Sequence, residues 1–141
     1  MEKQSTESIT AFLRTFERTD TRDEVSALAD CYAETFLFAG PDGARAIRRE
    51  DFALALPRRK KMFDDLGCRW SKLGSAVVTR LDERYAMAET TWKMGFKRGE
   101  GPITEIDVGS TFILDTKDEL EVVVYLSHQD IGTVLREREV L

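Results

Sequence analysis

Histidine is nearly missing from this chain: His128 is the only one in 141 residues, and cysteine occurs only at Cys31 and Cys68. Without a Cys-x-x-Cys pair or a second imidazole, the usual ligand set for zinc or iron is absent, so no metal and no cofactor is expected. A carboxylate-only metal site is the one form left, and nothing in the sequence supports it. Two distant cysteines do not make a disulfide scaffold, and the opening MEKQSTESIT has no apolar core for export. Both are therefore read as buried thiols in a cytoplasmic protein. No apolar run reaches the length of a membrane span. Positive charge is not in excess either: the net charge of −5 excludes the broad basic surface that nucleic-acid binding requires.

What is present is an ordinary globular composition, 42% hydrophobic and 33% charged. The length fits a single domain over residues 1–141 with one sizeable core. Charge is uneven along it. Between Arg45 and Lys61 lie seven basic and two acidic residues, a run read first as a solvated helix face.

The pattern begins with helices. Ile9, Phe12, Leu13 and Phe16 have the i, i+3, i+4, i+7 spacing of one helical stripe, with Ser5, Thr6 or Ser8 as its cap. Thr21 and Glu24 fit a capping box for a second helix whose stripe is Val25, Leu28, Ala29 and Tyr32. A strand follows to Ala39, with Phe36 and Phe38 on one face and Leu37 on the other. Gly40-Pro41-Asp42-Gly43 turns the chain into a second short strand. Phe52, Leu56, Phe63 and Leu66 mark a third helix stopped at Gly67, with a kink or restart expected at Pro57.

From Cys68 the period becomes alternating and predicts four strands, about 69–81, 85–97, 104–115 and 120–129. Gly74 reads as a bulge in the first. Trp92, Met94 and Phe96 share a face in the second; Ile106, Val108, Ser110, Phe112 and Leu114 share one in the third. The fourth, with Val122 to Leu126, is apolar on both sides and predicts two-sided burial. Residues 131–141 read as a short helix or a tail. The whole is α+β, a curved antiparallel sheet of about six strands wrapped as a cone on three N-terminal helices.

Tyr32-Ala33-Glu34, Pro41-Asp42-Gly43 and Ile47-Arg48-Arg49-Glu50-Asp51-Phe52 carry a resemblance to the NTF2-like superfamily, which has the cystatin-like fold. More narrowly the chain resembles small bacterial SnoaL-like and ketosteroid-isomerase-like proteins. The motif spans about Ala29 to Phe52, while the order of elements matches nearly throughout. The resemblance implies an interior pocket and a homodimer formed through the outer sheet face. It also locates the isomerase machinery: a base before the proline ending the first strand, a tyrosine on the first helix and a protonated aspartate on a late strand. Here those places hold Gly40, Phe16 and Ser110, so steroid isomerisation is rejected while the fold is kept.

Asp42 and His128 are the catalytic candidates that remain, for a SnoaL-like cyclase or hydrolase. Asp42 also reads as a turn former and His128 as a hydrogen-bonded strand end. Asp107 and Arg45 are weighed as a water-activating pair like that of limonene-epoxide-hydrolase relatives, but Ile106 and Val108 face the other way and turn Asp107 outward. The ligand-pocket candidates are Phe16, Phe36, Phe38, Trp92, Ser110, Phe112 and Tyr125; aromatic residues on a strand face are more often plain core. Ser110 marks a pocket wall or a local hydrogen bond. The expected function is binding of a small apolar or aromatic molecule; the alternative is a dimerisation or interaction module with a filled interior.

Overall fold

The computed structural model of the chain describes residues 5–17 and 28–138. Its sheet has six strands: β1 (Tyr32–Gly40), β2 (Gly43–Arg48), β3 (Cys68–Arg80), β4 (Tyr85–Phe96), β5 (Thr104–Asp115) and β6 (Glu121–Ser127). They lie in the order β2-β1-β6-β5-β4-β3. Three helices are described with them, α1 (Thr6–Arg14), α2 (Arg49–Asp65) and α3 (Ile131–Glu137). None is long and apolar enough to cross a membrane.

Local chemistry sets the ends of these elements. Ser5 caps α1, its hydroxyl accepting from the Ser8 amide at 3.0 Å, and Asp130 caps α3 through the Thr133 amide at 3.0 Å. In the hairpin, Pro41 fixes a negative φ at the first turn position, so the left-handed residue falls on Gly43, at φ 127°. Gly67 ends α2 at φ 90°, with its carbonyl accepting from the Lys97 amide at 2.9 Å.

Register shifts bend the sheet. They occur in β3 at Cys68/Trp70 and at Leu73/Ser75, which puts the bulge at Gly74, and between β5 and β6 at Ile113/Leu114. Each extra residue increases local twist, and together they coil the sheet around α1 and α2. On the concave side Ala86 and Ala88 are fully buried, in the same cluster to which α1 brings Ile9 and Leu13.

Several expectations are corrected. The sheet is mostly antiparallel, but β1 and β6 pair in parallel, with a large irregularity between Tyr32 and Leu37. Tyr32 opens β1 rather than closing a helix. Thr21, Glu24 and Val25 lie outside the described residues, while Leu28 and Ala29 are helical. Helix α2 runs unbroken through Pro57. The carbonyl that proline leaves without a donor belongs to Ala53, which is exposed and can bond to water. Cys31 is only half-buried, unlike Cys68. In β6 only Val122 is fully buried, the other residues being half-buried on both faces.

Candidate functional site

Two cross-strand rows define the concave face. Phe38, Tyr125, Phe112 and Ala88 stand side by side on β1, β6, β5 and β4. Two residues along, Ser127, Ser110, Thr90 and Ala76 do the same on β6, β5, β4 and β3. The first row is aromatic. Tyr125 lies 5.0 Å from Phe38 and 5.1 Å from Phe112, ring centre to ring centre. Phe112 stacks on Phe16 at 5.6 Å, and Phe16 meets Tyr32 edge-on at 5.8 Å. Tyr32 then contacts Phe36 at 4.5 Å and Phe52 at 4.7 Å. Such pairs contribute about 0.5–1.5 kcal/mol each beyond area burial, so the chain of rings is a rigid wall.

The centre of the second row, Ser110 and Thr90, is polar and satisfied from within the face. The Thr90 hydroxyl donates to the Ser110 carbonyl at 2.7 Å. Having only one proton, Thr90 leaves the Ser110 hydroxyl to donate to Thr90 Oγ1 across 2.8 Å. Trp92 Nε1 donates to Thr90 Oγ1 at 2.8 Å and to Ser110 Oγ at 3.1 Å. All three side chains are buried.

This polar group stands at a seam. Buried apolar residues fall into two clusters, a larger one with Leu13, Tyr32, Phe36, Trp92 and Phe112 and a smaller one with Met94, Phe96, Ile106 and Leu135. Val108 touches both. Along β5 the order Ile106, Val108, Ser110, Phe112 passes from one cluster to the other, with Ser110 at the crossing. Arg59 of α2 lies between the edges of the two clusters: its guanidinium carbon is 5.8 Å from the ring centre of Phe38, packed on the larger, and 5.3 Å from that of Phe63, packed on the smaller.

Tyr32 is 6% exposed, and its hydroxyl makes no hydrogen bond among the described residues. No sealed side-chain nitrogen or oxygen among them lacks a partner, so the phenol oxygen keeps open space before it. Burial pushes the Tyr32 phenol well above its ordinary range; the Arg59 charge pulls it down and Tyr125 pushes it further up.

The seven pocket candidates, Phe16, Phe36, Phe38, Trp92, Ser110, Phe112 and Tyr125, therefore meet on one side of the sheet. The catalytic candidates do not join them. Asp42 is exposed at the hairpin tip. His128 is exposed, its Nε2 2.8 Å from the hydroxyl of Thr111 on the convex face. Asp107 is exposed and lies 3.3 Å from Lys93 Nζ, and Arg45 is exposed on β2. Sequence reasoning passed over Tyr32, Thr90 and Arg59. Thr90 was within reach, being the polar member of the alternation Ala86, Ala88, Thr90, Trp92.

No protein-family model matches the chain, and no curated protein sequence does. Solved structures do. An NTF2-like protein with a cystatin-like fold from Novosphingobium aromaticivorans superposes with a TM-score of 0.61 at 17% identity, over 97% of each chain. The fold is NTF2-like. The β subunit of the benzoate 1,2-dioxygenase of Burkholderia mallei shares this NTF2-like fold at a TM-score of 0.71 and 16% identity, over 95% of this chain and 96% of that one. A polyketide cyclase, so described, from Xanthomonas campestris does so at 0.55 and 19% identity, over 90% and 93%. One NTF2-like fold thus carries an enzyme subunit, a described cyclase and a protein with no stated activity, so function has to be argued from the site.

Proposed function

We propose that this NTF2-like chain binds a small flat aromatic or apolar molecule between its two apolar clusters, against Phe38, Tyr125, Phe112 and the Trp92–Ser110 pair. The observation carrying this reading is the divided core, with a buried polar group at the seam. Chemistry of the isomerase kind is not part of the proposal. Gly40 precedes Pro41, Phe16 offers only a ring, and Ser110 is already engaged with Thr90 and Trp92. No carboxylate reaches the cluster among the residues named.

A thermal-shift screen with steroids, polyketide-like aromatics and terpenoid epoxides tests it. A ligand bound only by the folded state at about 100 times its Kd adds about 2.7 kcal/mol and raises Tm by several degrees. The absence of any shift in all three classes would sink the reading.

A second reading rests on the convex face. Leu37, Val124, Ile113 and Met87 form a row across β1, β6, β5 and β4, and nearby Val77 is 61% exposed. This apolar stripe fits pairing of two copies through the sheet. Light scattering on a size-exclusion column tests it: dimeric mass for the native chain and monomeric mass for Ile113→Glu support it, and a monomeric native chain at tens of micromolar overturns it.

A further inference from the structure

The pocket reading leaves open what kind of molecule enters, and a second set of side chains bears on that. Resting on that reading, we infer that the ligand carries an anionic end, a carboxylate or an enolate on a planar ring, held by Arg59 with the hydroxyls of Tyr32 and Tyr125.

The two lysines that follow Arg59 on α2 are engaged with carboxylates of their own helix. Lys60 pairs with Asp64 at 2.9 Å and Lys61 with Asp65 at 2.8 Å. Arg59 makes no ion pair and no hydrogen bond among the described residues. It is half-buried, lying over Phe38 and Phe63. Ring contact uses the face of a guanidinium and leaves its five in-plane donors unspent. The planar fork suits a two-oxygen anion better than it suits a neutral group.

Two phenols stand on the same side. Tyr125 packs on Phe38, the ring under Arg59, and its hydroxyl has no hydrogen-bond partner among the described residues. The Tyr32 hydroxyl, inside the aromatic cluster, is likewise without one, with open space before it. Both oxygens are accessible and have donor capacity to spare, and Arg59, over the ring on which Tyr125 packs, has no carboxylate; together they offer an entering acceptor three sets of donors. Nearby charge agrees in sign. Arg45 lies opposite Phe38 on β2 and Arg58 precedes Arg59, while Asp64 and Asp65 are taken by lysines.

Isothermal titration of the full chain at pH 7 with 2-naphthoate and with its neutral counterpart 2-naphthamide tests the inference. The expected result is a tenfold or greater preference for the naphthoate. Arg59→Gln reduces that preference to below threefold, whereas Lys61→Gln, out of reach on the exposed side, leaves it intact. Raising NaCl on the native chain also shrinks it, which reads the charge without any substitution. Equal binding of both probes would overturn the anion while leaving the pocket standing. A preference that survives both Arg59→Gln and high salt would overturn it too. Failure of both probes to bind would take the pocket reading down together with this one.

Discussion

The indole Nε1 of Trp92 on β4 lies 3.1 Å from the hydroxyl of Ser110 on β5, and Thr90 Oγ1 stands 2.8 Å from each of them. This closed set of three bonds holds the centre of the concave face, and its members differ in how much depends on them. Ser110→Ala keeps the Trp92 bond to Thr90 and the Thr90 bond to the Ser110 carbonyl, so it costs about 1 kcal/mol or less. Thr90→Val removes the hub, leaving the indole N–H only its longer bond to Ser110 and the Ser110 hydroxyl without its acceptor, and costs about 1–3 kcal/mol. Urea midpoints of the two variants check the order, and the double variant falls short of their sum because the pair shares one network.

Tyr32 gives a prediction of opposite character. Its hydroxyl has no partner to lose among the described residues, so Tyr32→Phe changes stability by less than about 1 kcal/mol or raises it. Its pKa is raised in the folded state. The unfolded chain therefore releases this proton first, near pH 10, while the folded chain retains it. Stability from this residue is intact below pH 10 and declines above it, by about 1.4 kcal/mol per unit, until the folded phenol titrates. Tyr32→Phe removes that part of the decline. Denaturant melts of both forms between pH 9 and 11 read the difference.

Asp115 shows the acid-side counterpart. Arg84 grips its carboxylate through Nε at 3.0 Å and Nη2 at 2.8 Å, and this contact holds its pKa below the ordinary value. The stabilisation is present above the unfolded carboxylate pKa, about 4, and is lost as pH falls through the depressed folded value. With Arg84 half exposed, Asp115→Asn costs about 0.5–1 kcal/mol at pH 7. The native and variant curves converge near pH 2, which thermal melts across that range verify.

Gly67 tests the backbone account. It holds φ 90°, and a Cβ there would overlap the Lys97 carbonyl. Gly67→Ala combines a disfavoured backbone with that overlap and costs about 2–4 kcal/mol in a denaturant melt. Gly99, also left-handed but open around its Cβ, costs about 1 kcal/mol on the same change.

What could be read in advance follows from which interactions are local. Alternation placed Ile106, Ser110, Phe112 and Leu114 on one face because side-chain period is a property of the strand alone. Gly74 and Gly67 were legible for the same reason. The parallel pairing of β1 with β6 was not, since it joins segments some 90 residues apart and no local signal encodes it. That pairing is also why Tyr32 was misplaced: its spacing from Leu28 suits a helix, yet the amide of Val122 donates to the Cys31 carbonyl at 2.8 Å and draws the segment into the sheet. Pro57 failed as a helix breaker because the carbonyl it leaves without a donor, that of Ala53, is on the exposed side of the helix. Among the site residues, Phe112 was placed by parity, whereas the inward turn of Tyr125 was not, because β6 is apolar on both faces and alternation there assigns no side. Arg59 was hidden inside a charge run, where only its half-buried place over Phe38 and Phe63 distinguishes it.

The account stands or falls on whether the divided interior takes up a ring. Intermolecular NOEs between 2-naphthamide and the protein test this most directly, because the neutral probe asks about the hollow and not about Arg59. The account predicts saturable contacts from the naphthalene protons to Phe38, Phe112 and Tyr125. Contacts confined to Val77, Met87 and Ile113 on the convex face, or none at saturating probe, would contradict it.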